Sequence, residues 1–192
     1  AVTTIAADMA AGKGIFVVTS AGNEGANSWN IVTAPADADS AVAVGAVYSD
    51  GGIVPFSSGG PTADGRIKPE VVALGANVYT AQHGGFTAYS FSDGTSFAAP
   101  LVAGAAALIL SAHPELAPMD VAEALKMTAD RADAPDNTYG WGHVDAFAAA
   151  TYYGPVFSNL PRIETAGTGY LVTTHVLSKS GVDTNSVRLY YA

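Results

Sequence analysis

Hydrophobic and polar positions follow two rhythms along this chain. In the first, apolar residues recur at helical spacing or run unbroken. Ile5 and Met9 sit among small residues from Val2 to Ala11, which predicts a helix stopped by Gly12-Lys13-Gly14. Ile15-Phe16-Val17-Val18 and Ala41-Val42-Ala43-Val44-Gly45-Ala46-Val47 are unbroken apolar runs rich in Val and Ala. Such runs suit strands covered on both faces, as in a parallel sheet. Shorter strands are expected at Val71–Ala73 and Val78–Thr80, and another from Phe86 to Phe91. Phe97 to Leu110 carries no polar side chain and predicts a buried core helix, since the run is too short to span a bilayer. Val121, Ala122 and Leu125 mark the inner stripe of a surface helix over Pro118–Thr128, with Asp120, Glu123 and Lys126 outward and Pro118 in its first turn. Ala146 to Ala150 is a short helical end. Helices alternating with buried strands predict an α/β fold, a parallel sheet flanked by helices.

The second rhythm begins after Gly154-Pro155. Tyr170, Val172, Thr174 and Val176, then Val187, Leu189 and Tyr191, alternate around a turn at Ser180-Gly181-Val182-Asp183. Period-two alternation predicts antiparallel strands with one wet face, the start of a truncated β-sandwich-like accessory segment. We therefore divide the chain into residues 1–152 and 153–192.

Composition narrows the function. Of the 192 residues, 49% are hydrophobic and 13% charged, so most of the chain is built to be buried. Eight Lys and Arg against 17 Asp and Glu give a formal charge of −9, which argues against nucleic acid or an anionic membrane as partner. With no cysteine, disulfides, thiolate metal sites and a Cys nucleophile are excluded, although the compartment is not fixed by that. The first residues lack the charged start and long apolar middle of a signal peptide, and the chain opens inside a helix with no initiating Met; we expect it to be a piece of a longer protein.

Two stretches carry candidate chemistry. In Asp93-Gly94-Thr95-Ser96-Phe97-Ala98-Ala99-Pro100, a loop becomes the first turn of the apolar helix at Ser96. Backbone N–H groups there lack helical partners and the helix dipole favours negative charge beside them, so the hydroxyl suits either a cap or a nucleophile. In Thr19-Ser20-Ala21-Gly22-Asn23-Glu24-Gly25, small residues follow a predicted parallel strand, where such sheets keep their sites; the same residues also suit an ordinary turn.

Taken in order, these segments resemble the subtilisin-like serine peptidases, or subtilases. Val17 to Gly25 resembles that family's oxyanion-Asn segment. Pro35-Ala36, Val44-Gly45-Ala46-Val47, Phe56-Ser57-Ser58-Gly59-Gly60-Pro61 and Lys68-Pro69-Glu70-Val71 are similar to its following landmarks. Gly94 to Pro100 resembles its nucleophile signature, and Thr128-Ala129 and Gly140-Trp141-Gly142 its closing helix and turn. The resemblance covers roughly residues 1–150. It implies a serine endopeptidase acting through an acyl-enzyme on protein or peptide substrates, with secretion of the parent protein. By resemblance, Ser96 is the nucleophile and Asn23 supplies an oxyanion donor beside the Ser96 backbone N–H. Ala21 and Gly22 form one wall of the pocket for the residue before the cut, Glu24 stands at its rim, and Gly94 and Thr95 complete the substrate contacts. No cofactor is required; a structural Ca²⁺ held by Asp37, Asp39, Asp50 or Asp64 stays open, without EF-hand spacing.

The chain also departs from the pattern. The family's Asp and His precede the oxyanion Asn, and neither motif stands before Ala21; the first histidine is His83. We expect the N-terminal half of the domain to be the missing partner, and the chain alone to be inactive or residually active. His83, His113, His143 and His175 read as surface or capping residues. Gly59 stands where the family usually has Arg, and Leu74 where it often has Pro. Two other readings stay open. An α/β-hydrolase esterase would use Gly94-x-Ser96 as its elbow, although Ala98 replaces the second Gly, with Asp120, Asp133, Asp136 and His143 available downstream. A degenerate peptidase domain would serve binding alone.

Overall fold

The computed structural model describes residues 1–157, 162–185 and 187. Helix α1 (Val2–Ala11) leads to β1 (Val17–Ser20), which joins β2 (Ala41–Val47) and β3 (Val71–Leu74) in a parallel sheet of order β1-β2-β3. Val17 stands opposite Ala41, and Val44 opposite Val71. Every residue of β2 is buried, as its unbroken apolar run requires, whereas β1 is only half-buried. Ile15 and Phe16 precede β1 rather than belonging to it.

A hairpin, β4 (Val78–Ala81) with β5 (Tyr89–Ser92), leads into α2 (Thr95–Ala112). The strand expected from Phe86 begins at Tyr89 instead. Phe86 lies in the glycine-rich connection, fully exposed, where no strand among the described residues stands opposite it. Helix α2 crosses the sheet and contacts all three of its strands. Ala98, Val102, Ala105, Ala106 and Ile109 form the buried face, packed with Val42, Val44, Val71, Val121 and Leu125 into the main core. Here the expectation of a wholly buried helix is corrected. Leu101, Ala103, Gly104, Ala107 and Leu108 face outward; the described residues border that side only with open clefts, Phe16 and Val18 beside Ala103 and Ala107, and Val156, Phe157 and Leu177 beside Leu108. At 18 residues the helix is also longer than the apolar run suggested, long and apolar enough to cross a membrane by length and composition; its seat on the sheet marks it as a core helix.

Helix α3 (Pro118–Met127) packs on α2 through Val121, Ala122, Ala124 and Leu125, and α4 (Ala146–Ala150) packs on both. Asp145 caps α4 by accepting the Ala148 N–H at 2.8 Å.

Beneath the sheet, Lys68 is 1% exposed. Its ammonium donates to the Ala38 and Ala41 carbonyls at 2.9 and 3.0 Å and pairs with Glu70 at 2.6 Å. Glu70 in turn accepts the Ala43 N–H at 2.7 Å. One cation thus ties the loop before β2, β2 itself and the entry to β3. Burial pushes the Glu70 carboxyl above its ordinary range, and the ammonium only partly counters it.

Beyond α4 come β6 (Val156–Phe157), β7 (Arg162–Ala166), β8 (Gly169–Thr173) and β9 (Val176–Leu177). They form two antiparallel two-stranded ladders, β6 with β9 and β7 with β8, and β7 is exposed at every position. Tyr170 and Val172 lie in β8 and pair upstream, with Thr165 and Ile163, rather than across the expected turn at Ser180. Of the strand expected over Val187, Leu189 and Tyr191, all but Val187 lies outside the described residues.

Candidate active site

The site lies at the carboxyl end of the parallel strands, where β1 runs into residues 21–25 and the hairpin runs into α2. Gly94 opens α2 with φ at +148°, a backbone that side-chain-bearing residues rarely adopt. Its N–H donates to the Gly75 carbonyl at 2.7 Å, and Asp93 accepts the Asn77 N–H at 2.7 Å. The turn that presents Ser96 is therefore fixed to the loop after β3. Ser96 stands exposed in the first helical turn, and its hydroxyl makes no hydrogen bond among the described residues. Pro100, four residues on, has no N–H to offer the Ser96 carbonyl.

The 21–25 segment is held from both sides. The Ala21 N–H donates to the Val44 carbonyl and the Thr33 N–H to the Ala21 carbonyl. The Ser58 N–H donates to the Gly22 carbonyl, the Glu24 N–H to the Ser58 hydroxyl at 3.0 Å, and the Gly25 N–H to the Phe56 carbonyl at 2.8 Å. Ala21 is fully buried and both of its backbone groups are bonded, so, against the expectation that it walls the pocket, it presents no surface to a ligand.

Asn23 and Ser96 are brought together through Thr95. The Asn23 side-chain oxygen accepts both the Thr95 N–H at 3.0 Å and the Thr95 hydroxyl at 2.9 Å. That hydroxyl accepts the Gly22 N–H at 3.3 Å. With its oxygen committed, the Asn23 amide nitrogen must lie on the other side. It lies beside Gly94, where a Cβ would stand 3.6 Å from Nδ2. Two donors without a partner among the described residues, the Asn23 Nδ2 and the Ser96 N–H, thus flank the Ser96 turn, while the Thr95 and Phe97 N–H groups are bonded to Asn23 and Gly94; the arrangement suits developing negative charge.

This geometry changes a further expectation. Thr95 is fully buried, with its hydroxyl turned to Asn23, so it does not line a substrate pocket. Sequence reasoning missed its role because a hydroxyl beside Ser96 at a helix start reads as local capping, while its partner lies 72 positions away. Ser58 was missed for the same reason. Glu24 is half-buried and accepts from the Asn27 side-chain amide.

Two of the histidines, His113 and His143, serve other contacts. His113 meets the Ala150 carbonyl at 3.0 Å and Glu115 at 3.6 Å. His143 is held by Asp130 through its Nδ1 at 2.8 Å, with Nε2 buried against Gly51 and without a partner among the described residues. Burial would raise the Asp130 carboxyl, but bonds from the His143 backbone and ring bring it below its ordinary value. An esterase arrangement would need His143 Nε2 on Ser96, the bond to Asp130 through Nδ1 being compatible with it; Nε2 is instead buried against Gly51. Of the four candidate calcium ligands, Asp39 and Asp64 pair with Arg66 at 3.4 and 2.9 Å. Asp37 accepts the Thr4 hydroxyl, and Asp50 the Gly52 N–H. Among the described residues no cluster of three or more His, Cys, Asp or Glu is poised to hold a metal.

The sequence model of the subtilase family matches residues 1–142, and the chain belongs to that family. It is 42% identical over 146 residues to subtilisin DY of Bacillus licheniformis, covering 76% of this chain and 50% of that protein. It is 35% identical over 153 residues to the serine protease AprX of Bacillus subtilis (strain 168), covering 69% and 34%. Among solved structures, a lanthipeptide protease superposes with TM-score 0.65 at 30% identity, covering 79% of this chain and 55% of that one. The self-cleaved protease domain of PatA does so with TM-score 0.65 at 27%, covering 78% and 54%. The chain spans about half the length of these relatives, and about a third of AprX.

Proposed function

We propose that this chain supplies the nucleophile half of a secreted serine endopeptidase. The observation that carries the reading is the double hydrogen bond from Thr95 to the Asn23 oxygen, which turns the Asn23 amide nitrogen toward the Ser96 turn. Ser96 Oγ attacks a peptide carbonyl, and its proton passes to a base. The carbonyl oxygen gains negative charge between the Ser96 N–H and Asn23 Nδ2. The C–N bond then breaks, the amine leaves with the proton, and an acyl-ester on Ser96 remains for water to hydrolyse. Gly22 and Glu24, both half-buried, border the residue before the cut, and the Gly94 backbone lies beneath it.

The base and its orienting carboxylate belong, on this reading, to a complementary half of the domain. The unpaired side of β1 and the cleft of Phe16, Val18, Ala103, Ala106, Ala107 and Leu110 beside it, about 410 Å³, are the surfaces that half would cover. Secretion of the parent protein rests on family membership. Residues 153–192 act as a separate accessory piece, and calcium, if bound, serves stability and not the reaction.

The test uses the full-length protein and a fluorophosphonate probe. Ser96 is expected to carry the label, and Ser96→Ala to abolish both labelling and peptide hydrolysis while the thermal transition is kept. Hydrolysis that survives Ser96→Ala would sink the assignment.

A further inference from the structure

The hairpin that delivers the Ser96 turn carries a feature the proposed chemistry does not use. Tyr79 stands opposite Phe91 and Ala81 opposite Tyr89, so Tyr79, Phe91 and Tyr89 share one face. The Tyr79 ring stacks on Tyr89 at 5.6 Å and 23° and leans on Phe91 at 5.2 Å and 51°. The three rings are 64%, 60% and 68% exposed, while Val78, Thr80, Ser90 and Ser92 on the opposite face are half-buried. Exposed aromatic side chains held together in this way mark contact surfaces. The segment from Asn77 to Ser92 contains no Asp, Glu, Lys or Arg, in a chain of net charge −9. The patch is therefore a neutral apolar island on an acidic protein, unsuited to charge-driven docking.

Its position argues for the occupant. Phe91 is five residues before Ser96, and five residues span at most about 17 Å. The base of the hairpin is tied down by the Asn77–Asp93 and Gly94–Gly75 hydrogen bonds, so the rings are fixed relative to Ser96. A polypeptide lying across Ser96 comes level with Phe91 within about five further residues at most. We propose that Tyr79, Tyr89 and Phe91 form an exosite for polypeptide substrates, gripping a stretch of chain beyond the cleaved bond by apolar contact with little sequence preference. This rests on the peptidase reading above and adds a preference for long substrates over short ones.

The experiment compares two substrates in the full-length enzyme: a chromogenic anilide of a single amino acid, with no further chain for the rings to grip, and unfolded casein. Tyr79→Ser and Phe91→Ser are expected to raise KM for casein about fivefold to tenfold, with kcat unchanged and anilide kcat/KM unchanged. Phe91→Trp, which keeps a ring, is expected to behave as wild type. Three results would overturn the exosite: no change toward casein, an equal loss on both substrates, or Phe91→Trp behaving as Phe91→Ser. An equal loss accompanied by a lowered thermal transition would assign the rings to folding. Wild-type enzyme that cuts neither substrate would instead defeat the peptidase reading itself.

Discussion

Thr95 holds Asn23 by two hydrogen bonds to one oxygen, one from its backbone at 3.0 Å and one from its hydroxyl at 2.9 Å. The backbone bond survives substitution and the hydroxyl bond does not. In the full-length enzyme, Asn23→Leu is therefore expected to lower kcat by about 10² to 10³, a range taken from a member of the same family. Thr95→Val should lower kcat about tenfold, the worth of one hydrogen bond, with KM little changed. The double variant should be no slower than Asn23→Leu, because both changes act through one amide; multiplicative losses would show that Thr95 acts independently.

Lys68→Met should destabilise the protein by about 3–5 kcal/mol, since it leaves Glu70 buried without its cation, to be either desolvated as a charge or protonated. Replacing both Lys68 and Glu70 with apolar residues of similar size should recover much of that loss. Urea denaturation of the three variants measures this; a single variant as stable as wild type would contradict the buried pairing.

Gly25→Ala tests the clamp on the candidate oxyanion segment. A Cβ there would meet the Ser57 carbonyl oxygen at 2.2 Å and that of Pro55 at 2.8 Å, both backbone atoms. The segment must shift, so kcat should fall at least tenfold along with stability. Retained kcat with only a lowered Tm would place Asn23 outside the reaction.

The Asp130 carboxyl titrates below its ordinary value of 3.8 in the folded protein because His143 bonds its charged form. A depressed acid contributes stability above its unfolded value and loses it as pH falls through the folded one. Asp130→Asn should thus lower stability at pH 6 and change it little at pH 2. Chemical denaturation across that range checks the sign; an equal loss at both pH values would tie the effect to packing.

The isolated chain should aggregate. The unpaired side of β1 and the exposed Val2, Ile5, Met9, Ile15, Leu101 and Leu108 leave a sheet edge and apolar faces open to water. Sedimentation of the 192-residue product settles this, and a well-behaved monomer would contradict it.

The sequence was informative where one residue's neighbours in the chain decide its fate. β2 was legible because seven apolar residues in a row, buried at every position, admit only a covered strand. The Ser96 turn was legible because Gly94 and an apolar helix flank it. What was hidden depended on distant contacts. Apolarity on all sides of α2 could not say which side this chain covers. Lys68-Pro69-Glu70 reads as a solvated loop, since lysine is rarely buried; only the fold brings the Ala38 and Ala41 carbonyls to its ammonium. The Thr95 hydroxyl looked like a neighbour of the nucleophile, and its partner across 72 positions gave no local sign. In the C-terminal piece, alternation identified strands but not their pairing, because period two fits an upstream partner as well as a downstream one.

The shielding of Lys68 gives the molecule a chemical clock. Lys13 and Lys179 lie open to solvent, whereas the Lys68 amine is enclosed by three oxygens. Acylating reagents should consume the open amines at once and reach Lys68 only when the base of the sheet comes apart. The delay before that amine reacts, followed by mass spectrometry, would then time the opening of the core directly, without a denaturant.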